Sequence, residues 1–403
     1  MSQDDESCGL VLAGGGARGA YEAGVLYYLY CEGPAELRER AHFKVLAGTS
    51  VGAINVSALA AASHAPALGV RRLMELWRGL QLDDLLPIGF ADLWSVSAWL
   101  LGKNDRESLL PGNGVKRFIN DSIDWSQIHQ NLGSGVLEAV SLSCTHVPSG
   151  RTVVFYETRD GRPRPWSRDP HVTSINTRLG PAHARASAAI PLLFPPVAID
   201  GIPYVDGGLR QNTPLSPALR LGSTRILVVG VSHEKKQKSL ADLGGVRTES
   251  LGRPVFMMGK VLNALMLDHV DYDLIRLNHF NHLIRDGEGV FGSDFSQRLN
   301  KVTFAQRQAT YRVVPHLTLR PTQDIGGMAA EYARSRRFLA DRGLTAKTIR
   351  LLARAEPRTE ADLTSYLLFD GGFAEKLMQL GADDARAKRE ELLRFFDAKV
   401  ATE

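Results

Sequence analysis

The chain runs Phe43-Lys44-Val45-Leu46-Ala47-Gly48-Thr49-Ser50-Val51-Gly52 and then enters a small-residue stretch from Ala53 to Ser63. Residues 43–47 read as a short buried strand and Ala53–Ser63 as a helix, with Gly48–Gly52 as the tight turn between them. The turn has the spacing GxSxG. A serine on a sharp strand-to-helix turn is thrust out of the sheet with its hydroxyl exposed, and glycines at either side let neighbouring backbone approach without a Cβ clash. The helix that follows aims its amino end at the serine, so its dipole favours negative charge developing there. Taken alone, the pentapeptide reads equally well as a glycine turn whose serine caps a helix. The strand before it and the helix after it favour a nucleophile.

The same order occurs once more, upstream. Residues 9–13 read as a strand, glycines follow, and Ala17–Cys31 has helical spacing with Ala20, Ala23, Val25, Leu26 and Leu29 apolar. Strand, turn and helix in repetition predict an α/β fold with a mostly parallel sheet. Further strands are expected at 136–144, 151–156, 225–231 and 311–319; Pro315 makes the last an edge or bulged strand. Residues 233–253 are polar and glycine-containing and read as a loop or insert. The pattern turns helical over 255–286, and again from about 325 to the end.

Gly14-Gly15-Gly16-Ala17-Arg18-Gly19 lies between the first strand and its helix. A glycine run there leaves backbone N–H groups unpaired and facing outward. Such donors hold the oxyanion of a tetrahedral intermediate, at a few kcal/mol per donor. The six residues also fit the dinucleotide spacing GxGxxG. That rival needs an acidic residue ending the next strand, about 20 residues on. Glu32, Glu36 and Glu39 all precede the strand, which instead runs into Ser50. Arg18 has two readings, steadying an anion or pinning the loop through a salt bridge. The third feature is Asp206-Gly207-Gly208, a carboxylate followed by glycines that permit close approach. In isolation it is an ordinary turn.

Together these blocks resemble the patatin-like phospholipase family. Gly14–Gly19, Gly48–Gly52 and Asp206–Gly208 stand in the family's order. Ala186-Ser187-Ala188-Ala189-Ile190-Pro191 with Phe194-Pro195-Pro196 resembles its Ala-Ser…Pro segment. The resemblance spans roughly residues 8–325, and Ser365-Tyr366-Leu367-Leu368-Phe369-Asp370 is similar to tails of some bacterial members. It implies a three-layer sandwich with a mostly parallel central sheet flanked by helices. The expected domains are a catalytic domain of this family at 8–325, within which composition marks 233–300 as a mobile insert, and a C-terminal helical extension at 326–403, read from its helical pattern. It implies Ser50 as nucleophile and Asp206 as base, with no histidine. It also implies an oxyanion hole from the backbone of Gly14, Gly15, Gly16, Ala17 and Arg18, an elbow shaped by Gly48 and Gly52, and support from Gly207 and Gly208. The substrate class that follows is a phospholipid or lysophospholipid.

A Ser–His–Asp triad is not excluded by composition, since eleven histidines are present. After Asp206 the candidates are His233, His269, His279, His282 and His316, each better read as a packing or surface residue. A buried carboxylate can itself accept the serine proton. No cofactor or metal is expected, because neither a CxxC pair nor an HxxxH pattern occurs.

A net charge of +4 from 48 basic and 44 acidic residues gives no footprint for nucleic acid. Cys8, Cys31 and Cys144 are scattered and odd in number, which argues against a disulfide framework and for a reduced, cytoplasmic setting. There is neither a signal-peptide pattern nor an apolar run of roughly 18 residues. The segment 85–101, with Trp94 and Trp99, suits peripheral contact with a membrane interface or an acyl groove, and equally a buried helix. Met257, Met258 and Met266 in 255–266 read as core or as packing in a homo-oligomer, or as a lid. Three alternatives remain: a carboxylesterase or thioesterase on the same scaffold, a nucleotide-binding oxidoreductase, and a non-catalytic interaction protein.

Overall fold

The structure, a computed structural model, describes residues 7–86, 108, 112–166, 169–233, 259–261, 269–307, 310–336, 338, 343–356 and 361–397. Its strands are β1 (Cys8–Leu12), β2 (Val45–Thr49), β3 (Ala139–His146), β4 (Thr152–Thr158), β5 (Val172–Asn176), β6 (Val197–Ile199), β7 (Ile202–Asp206), β8 (Arg225–Val229) and β9 (His316–Leu319). They form one sheet in the order β5-β4-β3-β2-β1-β8-β9, with β7 paired to β3 and to β6. The pairs β1–β2, β1–β8, β2–β3, β4–β5 and β8–β9 are parallel; β3–β4, β3–β7 and β6–β7 are antiparallel.

The central strands β1, β2 and β8 are buried at every residue. Their continuous apolar runs suit a parallel sheet covered on both faces. Side chains alternate across the sheet. Leu10, Leu12 and Leu46 join a cluster with Ala53 and Val56 of the Val51–Ala61 helix and Tyr21 of the Ala20–Tyr27 helix. Val11, Val45, Ala47, Ile226 and Val228 face the other way, onto Leu215 and Ala218 of the Leu215–Arg220 helix and Leu274 and Leu277 of the His269–Phe291 helix. Helix, sheet and helix make the three layers expected from the sequence.

The element boundaries moved by a few residues. β2 runs two residues beyond the expected 43–47, to Thr49, directly before the serine. β9 is shorter than 311–319 and begins immediately after Pro315, which lacks the N–H that a ladder needs. The expected Ala17–Cys31 helix is subdivided into a 3-10 turn at Gly16–Gly19, an α-helix at Ala20–Tyr27 and a π-helical turn at Tyr28–Glu32. β7 had no apolar alternation to announce it, and its Pro203 reads as a breaker.

The C-terminal helices share the core. Phe373, Leu377, Met378, Leu392 and Phe396 belong to the same cluster as β1. The Gly371–Ala387 helix lies against Ala20–Tyr27 at backbone distance: a Cβ on Gly24 would stand 1.9 Å from the Met378 carbonyl oxygen, and one on Gly381 2.2 Å from that of Tyr21. Within the segment 85–101 only Leu85 and Leu86 are described, both buried; Trp94 and Trp99 lie outside the described residues, as do Met257, Met258 and Met266 and most of the 233–253 stretch. Among the described residues no helix is long and apolar enough to cross a membrane.

Candidate active site

The sheet brings Ser50 and Asp206 together by a change of partner along β3. β2 pairs with β3 as far as Thr49 opposite Ser143. The next β3 residue, Cys144, is opposite Asp206 of β7. β7 thus takes the place beside β3 that β2 vacates, and the chain leaving β2 turns away at that point through Ser50. The turn holds Ser50 at φ 55°, ψ −125°, a left-side conformation that a non-glycine residue adopts only under strain. The elbow glycines are needed for close approach. A Cβ on Gly48 would lie 2.4 Å from the Gly52 carbonyl oxygen, and one on Gly52 2.4 Å from that of Leu12. Gly207 is similarly pressed against β3, where a Cβ would fall 2.2 Å from the Ser143 carbonyl oxygen.

The Ser50 hydroxyl donates to Asp206 Oδ2 at 2.6 Å. Asp206 Oδ1 accepts from the Gly208 N–H at 2.7 Å, and its carbonyl accepts from Thr145 Oγ1 at 2.9 Å. Asp206 is fully buried. Burial pushes its pKa from the ordinary carboxylate range up to about 7, against the lowering effect of the hydrogen bonds from Ser50 and Gly208. The Ser50 N–H donates to Ser187 Oγ at 2.9 Å, and Ser187 donates in turn to the Ser143 carbonyl at 2.6 Å. Ser187 therefore braces the elbow against β3. No spacing rule singles it out; its only sequence signal is the Ala186–Pro191 block.

The glycine loop sits beside Ser50: a Cβ on Gly14 would come within 2.9 Å of Ser50 Cβ. Its five backbone N–H groups are not equivalent. The Gly14 N–H already donates to the Asn212 carbonyl at 3.1 Å, and the Arg18 N–H to the Gly15 carbonyl at 3.2 Å. Both are consumed in shaping the loop. Among the described residues, the N–H groups of Gly15, Gly16 and Ala17 have no backbone acceptor. Arg18 follows its salt-bridge reading. Its guanidinium turns to the Asp362–Leu367 helix, with Nη2 at 3.0 Å from Asp362 Oδ1 and Nε donating to Ser365 Oγ at 2.8 Å.

No described histidine bonds to Ser50 or Asp206. His233 bonds to the Pro321 carbonyl, His279 is exposed, and His316 lies in β9, where burial lowers its pKa. The side chain of His269 lies outside the described residues. β2 ends at Thr49, so its carboxyl end offers no acid for a ribose. Among the described residues no group of three His, Cys, Asp or Glu is arranged to hold a metal.

A family model described as Patatin-like phospholipase matches residues 10–219. Among solved structures the chain is similar to VipD from Legionella pneumophila, at 15% identity and a TM-score of 0.30, over 90% of this chain and 67% of that one. It is also similar to a chain in the heterodimeric ExoU–SpcU complex from the type III secretion system of Pseudomonas aeruginosa. That match has 13% identity and a TM-score of 0.27, over 90% of this chain and 74% of the other. No curated protein matches.

Proposed function

The chain belongs to the patatin-like phospholipase family, a family of lipid acyl hydrolases, and from that premise we propose a phospholipase A or lysophospholipase acting through Ser50 and Asp206. Ser50 Oγ attacks the ester carbonyl carbon while Asp206 Oδ2 takes its proton. The oxyanion that forms faces the N–H groups of Gly15, Gly16 and Ala17. Collapse of this intermediate expels the alcohol, which recovers the proton from Asp206, and leaves an acyl-serine. Water then attacks the acyl-serine with Asp206 again as base. The fatty acid departs and Ser50 regains its proton.

The observation that carries this reading is the 2.6 Å contact between a strained serine hydroxyl and a buried carboxylate whose pKa is pushed to about 7. A base poised near neutrality is half ionised in the cell's pH range and can both take and return a proton. No third group is needed to relay it.

A fluorophosphonate probe should label Ser50, as located by mass spectrometry. Fatty acid release from phosphatidylcholine vesicles should disappear in Ser50→Ala. Equal release by wild type and Ser50→Ala removes the nucleophile assignment. Turnover of short soluble esters with no release from vesicles assigns the same dyad to a non-lipid esterase.

A further inference from the structure

We infer that the Asp362–Leu367 helix is a strut for the oxyanion loop, and that Arg18 is a positioning residue acting through it. This rests on the Ser50–Asp206 reading above. The strut lies outside residues 10–219, the span matched to the family.

Arg18 is held on its edge and on its face. Asp362 Oδ1 and Ser365 Oγ take two of its donors, and its Cζ lies 4.5 Å from the centroid of the Tyr366 ring. Its partners are more than 300 residues away in sequence, at |i−j| of 344 and 347. A planar fork engaged in this way has a fixed direction, which a single point charge would not give. Backbone contact adds to it. Gly16 has φ +58°, and a Cβ there would stand 2.5 Å from the Tyr366 carbonyl oxygen. The loop is thus clasped between Ser50 at Gly14 and Tyr366 at Gly16.

The strut is itself braced. Glu356 accepts from the Leu363 N–H at 2.8 Å, the Thr364 N–H at 3.0 Å and Thr364 Oγ1 at 2.6 Å. Lys260 Nζ lies 3.2 Å from Asp362 Oδ2, and Ser365 Oγ donates to the Asp362 carbonyl at 2.6 Å. Every residue from Asp362 to Leu367 is buried. Such a buried ion pair contributes little net stability, because desolvation offsets the Coulomb attraction. It does dictate where the guanidinium points, and with it the direction in which the N–H groups of Gly15–Ala17 face. Oxyanion donors act only within about 2.7–3.1 Å of the developing charge. A displacement of about 1 Å costs on the order of 100-fold in rate.

The test uses full-length Arg18→Lys, Asp362→Asn and Ser365→Ala, assayed on a short p-nitrophenyl ester. Arg18→Lys and Asp362→Asn should lower kcat by about 10- to 100-fold. KM should stay within about twofold, since the affected bonds form only in the transition state. The midpoint of the acid limb should remain near pH 7, because Asp206 is untouched. Ser365→Ala deletes one hydroxyl and should fold normally, with a smaller, several-fold loss. Wild-type kcat in the folded variants overturns the strut. So do losses that follow the fraction of unfolded protein, with full kcat per folded molecule. Ser50→Ala separates the two levels: if it is inactive while the strut variants are fully active, only the strut fails. If Ser50→Ala retains activity, the proposed function fails and the strut with it.

Discussion

Ser50 and Asp206 are each held in a state that their residue type avoids. Ser50 sits at φ 55°, which costs on the order of 1–3 kcal/mol for a residue with a Cβ. Ser50→Gly should therefore be more stable than Ser50→Ala by about 1 kcal/mol in urea unfolding, with both inactive. Equal stability would mean that the turn is not strained. Asp206 has the opposite problem, a buried carboxyl whose pKa is raised to about 7. The folded protein binds this proton more tightly than the unfolded chain, whose aspartates titrate near 3.9. The stabilising linkage is complete below about pH 4 and is lost as pH rises through about 7. Asp206→Asn removes that dependence, so its unfolding temperature should exceed wild type by a margin that grows from pH 5 to pH 8. In wild type kcat/KM should rise with pH through a midpoint near 7, as the base ionises. A flat profile between pH 5 and 8 would contradict the base assignment.

At the scale of elements, the site depends on how closely backbones pass. β2 and β7 share one side of β3 end to end, and Gly48, Gly52 and Gly207 allow the turns to fit beneath the strand ends. The Ala20–Tyr27 and Gly371–Ala387 helices meet in the same manner at Gly24 and Gly381. Alanine has the better helix propensity by about 1 kcal/mol. The clash at Gly24 outweighs it, since the Met378 backbone cannot swing aside as a side chain would. Gly24→Ala should destabilise by about 1–3 kcal/mol. Gly133 ends the Trp125–Gly133 helix and has nothing within 4 Å of its would-be Cβ. Gly133→Ala should be neutral or gain up to about 1 kcal/mol. Denaturant midpoints of the two variants give the comparison.

Across the whole molecule, the C-terminal helices complete the layer that covers one face of the sheet. Phe373, Leu377 and Met378 are buried with Tyr21 and Leu26, and Arg18 reaches Asp362 and Ser365. A chain stopped at Glu356 would uncover that face and leave Arg18 buried without its carboxylate, a costly loss. It should show no cooperative thermal transition and no labelling by a fluorophosphonate. A sharp transition with wild-type labelling would make residues 361–397 a dispensable appendage.

The α/β class was legible because buried parallel strands are continuous apolar runs and because strand, glycine turn and helix recur in order. Ser50 and the glycine loop were legible for a related reason: each motif is local, and its geometry is imposed by residues within five or six positions. Asp206 was legible only as one block in a series, since an Asp-Gly turn by itself says nothing of a base. Its pKa near 7 belongs to the tertiary structure, because desolvation is exerted by residues remote in sequence. The same holds for Ser187 behind the elbow and for the division of the loop's N–H groups. Gly14 and Arg18 lose theirs to acceptors that no spacing rule identifies. Arg18 shows the boundary most clearly. The sequence left it between an anion and a salt bridge, and folding decided for the salt bridge by burying Asp362 and Ser365 against it. Local pattern determines which backbone turns a chain can make. Which charges and hydrogen-bonding groups meet inside it depends on contacts between distant segments, and only the packed molecule supplies those.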